Sequence, residues 1–119
     1  MTRIKDRVII RNMAWTIQIL PSALADLRYL PVFAQRIITT AINRQLAQEP
    51  LKLSGNLKQL RPNPVAGYEL RVHGDYRVLY NADETPRLVT ITVIGRKQGN
   101  ALFVQGKEYR LHHENHSLN

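Results

Sequence analysis

The chain has 119 residues, enough for one domain, and a formal net charge of +8 from 17 Lys and Arg against nine Asp and Glu. It contains no cysteine, which excludes disulfides and thiolate metal sites and fits a cytoplasmic protein. It also has no run of about 18 apolar residues, so the sequence predicts no membrane span. So basic a small domain indicates a polyanionic partner, either nucleic acid or an acidic protein.

The first twelve residues differ in character from the rest. Residues 1–12 carry Arg3, Lys5, Arg7 and Arg11 against Asp6. They lack the long apolar stretch and small-residue cleavage site of a signal peptide. We interpret them as a disordered arm, or as an extension upstream of a mis-chosen start codon. The predicted domain is then residues 13–119, and it keeps a net basic charge.

A strand and two helices are predicted in the first half of the chain. Residues 15–19 alternate apolar and polar side chains, as a half-buried strand does. Pro21 stands at a favoured first helical position, and the helix that follows ends before Pro31. A longer amphipathic helix begins at Pro31 and stops at Pro50. We expect the two helices to form an antiparallel pair on one face of a sheet.

The second half predicts a sheet. Residues 51–64 are predicted to be a loop with one helical turn, followed by strands at 68–73, 76–82 and 88–94. The last of these is β-branched and nearly apolar, as an interior strand is. The tail from Gln98 predicts a hairpin or an interrupted helix, and Gly106 favours the hairpin. The fold class is therefore α+β, with two N-terminal helices packed on a small antiparallel β-sheet.

The register of the hairpin 67–80 decides which side chains share a face. A two-residue turn would mix apolar and charged residues across the strands. A three-residue loop at residues 73–75 pairs Arg71 with Arg77 and Glu69 with Leu79, and it collects the apolar residues on the opposite face. We prefer this register because it separates the two kinds of residue.

Two arginines directly opposite one another, about 5 Å apart at Cβ, repel each other unless an anion lies between them. A phosphate accepts bidentate hydrogen bonds from arginine and removes the repulsion. The alternative is that Arg71 and Arg77 splay outward or pair with Glu69 and Asp75. A further pair, Arg96-Lys97, follows the interior strand and would complete a cationic concavity.

At these residues the sequence resembles the RelE/ParE toxin family. The segment 67–80, GYELRVHGDYRVLY, is similar to that family's hairpin. Residues 46–60 are similar to the segment before the hairpin, and residues 93–97 to the strand after it. The resemblance covers residues 14–100. It implies a small antiparallel sheet with two N-terminal helices, which is the order predicted above.

The resemblance implies cleavage of mRNA, in the ribosome, without a metal or cofactor. The ribose 2′-hydroxyl attacks the adjacent phosphate, which requires a base, cations for the developing charge and an acid for the leaving oxygen. Arg77 corresponds to the family's most typical arginine and Arg71 to a second basic position. Lys97, or Arg96 if the alignment slips by one residue, corresponds to the basic residue of the next strand. An antitoxin protein is the implied partner, with an acidic amphipathic segment covering the helices and the basic sheet.

The chain departs from the family pattern at two positions. Glu69 stands where some relatives have lysine, so it is either a general base or a salt-bridge partner. Phe103 stands where relatives have a tyrosine on a terminal helix; it can stack on a base but cannot exchange a proton. The remaining predicted RNA-binding residues are Lys58, Arg61, Tyr109, His112 and His113, the histidines being either proton donors or solvated tail residues.

Two other functions use the same features. A ParE-type inhibitor of DNA gyrase would have this fold without nuclease activity. A non-catalytic basic binding module would use the charge alone. The clustering of Arg71, Arg77 and Lys97 favours the nuclease.

Overall fold

A computed structural model of the chain describes residues 2–4, 7–10 and 14–111, the first two ranges by their backbone only. Two α-helices, α1 (Pro21–Tyr29) and α2 (Val32–Ala41), lie in this part of the chain, and α2 continues into a π-helical turn, Ile42–Leu46. The strands are β1 (Thr2–Ile4), β2 (Arg7–Ile10), β3 (Thr16–Ile19), β4 (Leu57–Gln59), β5 (Tyr68–Val72), β6 (Tyr76–Glu84), β7 (Arg87–Gln98), β8 (Ala101–Val104) and β9 (Lys107–Tyr109).

The described strands form one sheet with the order β1-β2-β3-β7-β6-β5-β4. The pairs are antiparallel except β3 and β7, which are parallel because the chain returns to the sheet through the helices. Strand β7 is central: β6 lies along one side, while β3 and β8 occupy successive halves of the other side. Its interior position confirms the expectation from its apolar, β-branched residues.

The main core lies between the helices and one face of the sheet. Its largest fully buried side chains come from β3, α2, the π-helical turn and the central strands. Each fully buried leucine or isoleucine contributes about 1.5–3 kcal/mol relative to an exposed one, so these side chains hold the helices on the sheet. They are Ile17, Ile38, Ile42, Leu46, Leu70, Val78, Tyr80, Val89, Ile91 and Ile94.

A second, smaller apolar cluster lies on the opposite face of the sheet. Ala66, Leu79 and Val93 form its buried centre, and side chains of the β8–β9 hairpin pack against it, among them Leu102 and Val104. A bulge in the pairing of β6 with β7, at Leu79/Tyr80, lets Ile91 and Val93 lie on opposite faces of the sheet. Across the bulge, Thr92 Oγ1 donates a hydrogen bond to the Leu79 carbonyl at 3.2 Å. The face opposite the helices is therefore partly covered by the C-terminal hairpin.

A buried carboxylate joins the C-terminal hairpin to α1. Asp26, 4 % exposed, accepts a hydrogen bond from the backbone N–H of Ile94 at 3.1 Å and another from Gln105 Nε2 at 2.7 Å. Both carboxylate oxygens are thus used, as a buried carboxylate requires. The turn between β8 and β9 is held against α1 by this residue.

The α+β class and the two helices on a sheet are confirmed, and the structure refines several predicted elements. The long predicted helix is α only to Ala41. The predicted loop 51–64 contains the short strand β4 in place of a helical turn. The tail from Gln98, predicted to be either a hairpin or an interrupted helix, forms the hairpin β8–β9. Within residues 1–12 the described parts are strands paired in series with β3, while the interpretation of these residues as an extension and the domain boundary at residue 13 stay predictions. Neither helix in the described ranges has the length and apolar content to cross a bilayer.

The Tyr80 hydroxyl gives a test of this packing. It is fully buried and donates a hydrogen bond to the Pro50 carbonyl at 2.6 Å. Tyr80→Phe leaves that carbonyl without its donor, and we expect it to lower the free energy of unfolding by about 1–3 kcal/mol in urea titrations. Tyr76→Phe is the control, since no hydrogen bond of the Tyr76 hydroxyl is found in the described residues.

The pH dependence of the unfolding free energy provides a second test with the same variant, Tyr80→Phe. Burial raises the pKa of Tyr80, so its contribution to stability is complete below about pH 10 and is lost as the pH rises further. The difference in unfolding free energy between the wild type and Tyr80→Phe should therefore narrow above about pH 10. A difference that is constant with pH would contradict this account.

Candidate functional site

The β5–β6 hairpin has the register predicted from the sequence. Val72 pairs with Tyr76 across the three-residue loop, and Arg71 pairs with Arg77. The loop is closed by two left-handed residues, His73 with φ 51° and Gly74 with φ 76°. Glycine adopts this conformation freely and histidine tolerates it better than most residues do. The two arginines therefore lie side by side on the face opposite the helices.

The Arg77 guanidinium is held by the turn of its own hairpin. Its Nη1 donates hydrogen bonds to the carbonyl oxygens of Gly74 at 2.6 Å and Tyr76 at 3.1 Å. The residue is only 5 % exposed, although arginine is rarely buried unless it is paired. The turn thus fixes the position of this cation before any ligand arrives.

The Arg77 guanidinium has a buried donor with no hydrogen-bond acceptor among the described residues. This is the buried Nε, which lies 3.8 Å from Oε1 of Glu69, an ion-pair distance too long for a hydrogen bond. Burial lowers the pKa of Arg77, and the charge of Arg71 lowers it further, while Glu69 and Asp75 raise it. A buried cation with an unused donor and a like charge opposite is a site that an anion would stabilise.

Glu69 lies between two cations. The same Oε1 is 3.5 Å from Lys58 Nζ on β4 and 3.8 Å from Arg77 Nε on β6. The Glu69 side chain is 14 % exposed and that of Lys58 is 62 % exposed. The salt-bridge alternative predicted for Glu69 is therefore realised in this structure, and its carboxylate is also the base nearest to Arg77.

Arg71 and Lys97 complete the cationic face. Arg71 is exposed, opposite Arg77, and forms no ion pair within the described part of the chain. Lys97 shares the face of Val93 and Gly95 by strand alternation, and its backbone N–H donates to the Asp75 carbonyl at 2.7 Å. We call the side chains of Lys58, Glu69, Arg71, Arg77 and Lys97 the Arg77 face.

The other predicted site residues have different positions. Arg96 pairs with Phe103 and lies on the helix side of the sheet, in a groove of about 640 Å³ beside Tyr29 and Phe33. Tyr109 packs against the second apolar cluster on the side of the Arg77 face, and burial, followed by the charge of Asp26, raises its pKa. Arg61 is exposed in the loop after β4. His112 and His113 lie outside the described residues.

Gly95 is a residue whose role the sequence reasoning missed. It pairs with Arg77, and a Cβ there would lie 2.6 Å from the Phe103 carbonyl oxygen and 3.0 Å from side-chain atoms of Leu102 and Val104. Only glycine therefore allows β8 to approach the strand beside Arg77. An isolated glycine inside an apolar strand was the available signal, because it marks close backbone approach.

The comparisons with known proteins bear on the fold of the chain. No protein-family model matches the chain, and no curated protein matches it. Among solved structures, the chain is similar to the crystal structure of the toxin-antitoxin complex RelBE2 from Mycobacterium tuberculosis, with 25% sequence identity and a TM-score of 0.62. The match covers 73% of this chain and 95% of that chain. The chain thus has the RelE-like toxin fold, and the resemblance predicted from the hairpin is confirmed.

The close approach at Gly95 can be tested directly. Gly95→Ala places a methyl group against a backbone oxygen that has little room to move, so we expect a loss of about 1–3 kcal/mol in unfolding free energy. Hydrogen exchange should show the loss concentrated in β8 and β9. Gly55→Ala is the matched control, because a Cβ at Gly55 meets nothing within 4 Å. Equal stability of the two variants would contradict the close packing of β8 on β7.

Proposed function

We propose that the protein is a toxin of a toxin-antitoxin system and an endoribonuclease that cleaves mRNA. The fold, shared with a toxin-antitoxin complex, supports the toxin role. The single observation that carries the nuclease is the buried Arg77, which has an unused Nε donor and lies opposite Arg71. Two adjacent guanidiniums of this kind suit the charge that develops on a phosphate during transesterification.

The partners follow from the same proposal. The cognate antitoxin is a protein with an acidic segment that neutralises the basic face, and the substrate is mRNA on a cytoplasmic ribosome. Phosphate contacts by Arg71, Lys97 and Lys58 would give affinity that decreases with salt. Tyr109, on the side of this face, and Arg61, exposed in the loop after β4, are further candidates for RNA contact, while Phe103 and Arg96, on the helix side, are less suited to it.

The proposed reaction is metal-independent. The 2′-oxygen bonds to the adjacent phosphorus, and the bond from phosphorus to the 5′-oxygen of the next nucleotide breaks, leaving a 2′,3′-cyclic phosphate and a 5′-hydroxyl. Glu69 accepts the 2′-hydroxyl proton, and the ammonium of Lys97 donates a proton to the leaving oxygen. Arg77 and Arg71 stabilise the charge on the phosphorane.

A ParE-type inhibitor of DNA gyrase is the second candidate. Two observations favour it: Glu69 already forms an ion pair with Arg77, and Phe103, which replaces a proton-carrying tyrosine, lies on the other side of the sheet. A supercoiling assay separates the two, since the nuclease leaves gyrase active. A non-catalytic basic module would impair neither gyrase nor mRNA.

Loss of either arginine tests the nuclease. We expect Arg71→Ala to reduce the cleavage rate about 10²-fold, because one of the cations that stabilise the charge on the phosphorane is lost. The rate is measured in a purified translation system by mapping the 5′ ends of the mRNA. Arg77→Ala should reduce it at least as much. Its hydrogen bonds to the turn make a folding check by circular dichroism necessary, and the exposed Arg71 avoids this difficulty.

Arg36→Ala is the control for charge, since Arg36 is an exposed arginine on α2. It should cleave like the wild type. Intact transcripts with the wild-type protein, or equal cleavage by Arg71→Ala and Arg36→Ala, would reject the proposed nuclease site.

Glu69→Gln separates its two candidate roles. As a general base, Glu69 is worth about 10²–10⁴ in rate, so the substitution should lower kcat by at least 10²-fold. The same change removes a negative charge beside the phosphate, so RNA binding should strengthen or stay the same. Single-turnover cleavage and binding of a 2′-O-methyl RNA measure the two effects separately. An unchanged kcat would identify Glu69 as a counter-ion only.

A further inference from the structure

A groove with a mixed polar and apolar lining lies between α2, the π-helical turn and the hairpin end of β5. Its volume is about 210 Å³. Strand β4 pairs with β5 only as far as Leu57 and Leu70, and Arg71 N–H then bonds the Asn56 carbonyl at 2.7 Å. Beyond that point the edge of β5 faces the helix. Its lining includes three apolar residues, and the polar residues that line it are Thr40, Arg44, Gln45, Asn56, Arg71 and His73.

Arg71 belongs to both this groove and the Arg77 face. It pairs with Arg77 across the hairpin, and it also lines the groove with Arg44. Arg44 is exposed and lies in the π-helical turn, a distortion that occurs frequently at functional sites. An extended polyanion bound at Arg77 and Arg71 would therefore meet Arg44 next if it crossed the edge of the sheet there.

We propose that this groove, here called the Arg44 groove, binds a backbone phosphate next to the one held at Arg71 and Arg77. The RNA strand then leaves the Arg77 face across the open edge of β5 and runs toward α2. The inference rests on the proposed function and adds to it the direction of the strand and a second phosphate site. Arg44 is a binding residue in this scheme and not a catalytic one.

The chemistry of the lining favours a nucleotide over an acidic peptide. Arginine binds phosphate through two parallel hydrogen bonds, and the Gln45 and Asn56 side chains carry both donors and acceptors, which suit ribose hydroxyls and base edges. The groove is smaller than the roughly 300–1,000 Å³ of typical small-molecule sites, so it fits one unit of a longer chain. It also lacks the exposed large apolar side chains with which an amphipathic peptide would pack; those described lie at Tyr29, Val32, Phe33 and Leu53.

The test compares two oligonucleotides on the full chain. A 2′-O-methyl dinucleotide has a single internucleotide phosphate, whereas the tetranucleotide has phosphates on both sides of the central one, and neither can be cleaved by 2′-hydroxyl attack. NMR titration gives the Kd of each. We expect Arg44→Ala to weaken tetranucleotide binding about tenfold and to lower its salt slope by about 0.7, while dinucleotide binding is unchanged.

Two further variants serve as controls for this experiment. Arg36→Ala removes an exposed arginine of α2 that does not line the groove, and it should bind both oligonucleotides like the wild type. Arg44→Lys keeps the charge without the bidentate geometry, and it should restore part of the tetranucleotide affinity. Both residues are exposed, so loss of folding is not expected for either substitution.

The outcomes are decisive in both directions. Equal tetranucleotide affinity of Arg44→Ala and Arg36→Ala overturns the groove, and so does an equal loss for both lengths. A hexaglutamate peptide serves as the acidic-protein probe. If Arg44→Ala weakens binding of this peptide but not of the tetranucleotide, the groove belongs to an acidic protein and the RNA inference is overturned. If Arg71→Ala loses binding and Arg44→Ala does not, the proposed function stands without the groove. If the wild type binds neither oligonucleotide, the groove is overturned, and the cleavage assay in the purified translation system decides the proposed function separately.

Discussion

The three-residue turn of the β5–β6 hairpin sets the face on which each residue of that hairpin lies. One residue more or less in the turn would move Arg77 from the open face of the sheet into the core beneath the helices. Gly74 of this turn and Tyr76, the first residue of β6, supply the carbonyl oxygens that hold the Arg77 guanidinium, so the turn contributes both to the register and to the position of the cation. The positions of Glu69, Arg71 and Lys97 relative to Arg77 follow from this pairing.

The sequence predicts what depends on alternation and misses what depends on tertiary contact. The Arg71–Arg77 pairing follows from placing apolar residues on one face, and β7 is recognisable from its β-branched residues. Strand β4 has only three residues and no alternation strong enough to reveal it. Whether Arg96 or Lys97 joins the Arg77 face depends on the bulge opposite Leu79 and Tyr80, which no local pattern announces. The requirement for glycine at position 95, opposite Arg77, comes from the approach of β8, which is a tertiary contact.

In the proposed function, two anions would compete for the cations of the Arg77 face. Glu69 is the internal one, at ion-pair distance from Lys58 and Arg77 but without a hydrogen bond to the buried Nε. A phosphate that reached Nε would form the hydrogen bond that Glu69 does not, and Lys58 could keep Glu69 as its partner. The Lys58–Glu69 pair is partly exposed on the lysine side and contributes about 0–1 kcal/mol, whereas both side chains of the Arg77–Glu69 pair are largely buried, so a phosphate would have to replace the charge of Glu69 at Arg77.

The parallel pairing of β3 with β7 has a consequence for how the molecule is assembled. Thr16 pairs with Leu88, so most of the described chain lies in the loop that this contact closes. Closing a long loop costs more conformational entropy than closing a hairpin, and contacts of this kind slow folding. The basic side chains of β5 and β6 therefore belong to a hairpin, in which the paired residues are close together in the sequence. Strand β7, which supplies Gly95 and Lys97 to the same face, is fixed on its other side by one of the least local pairings in the sheet.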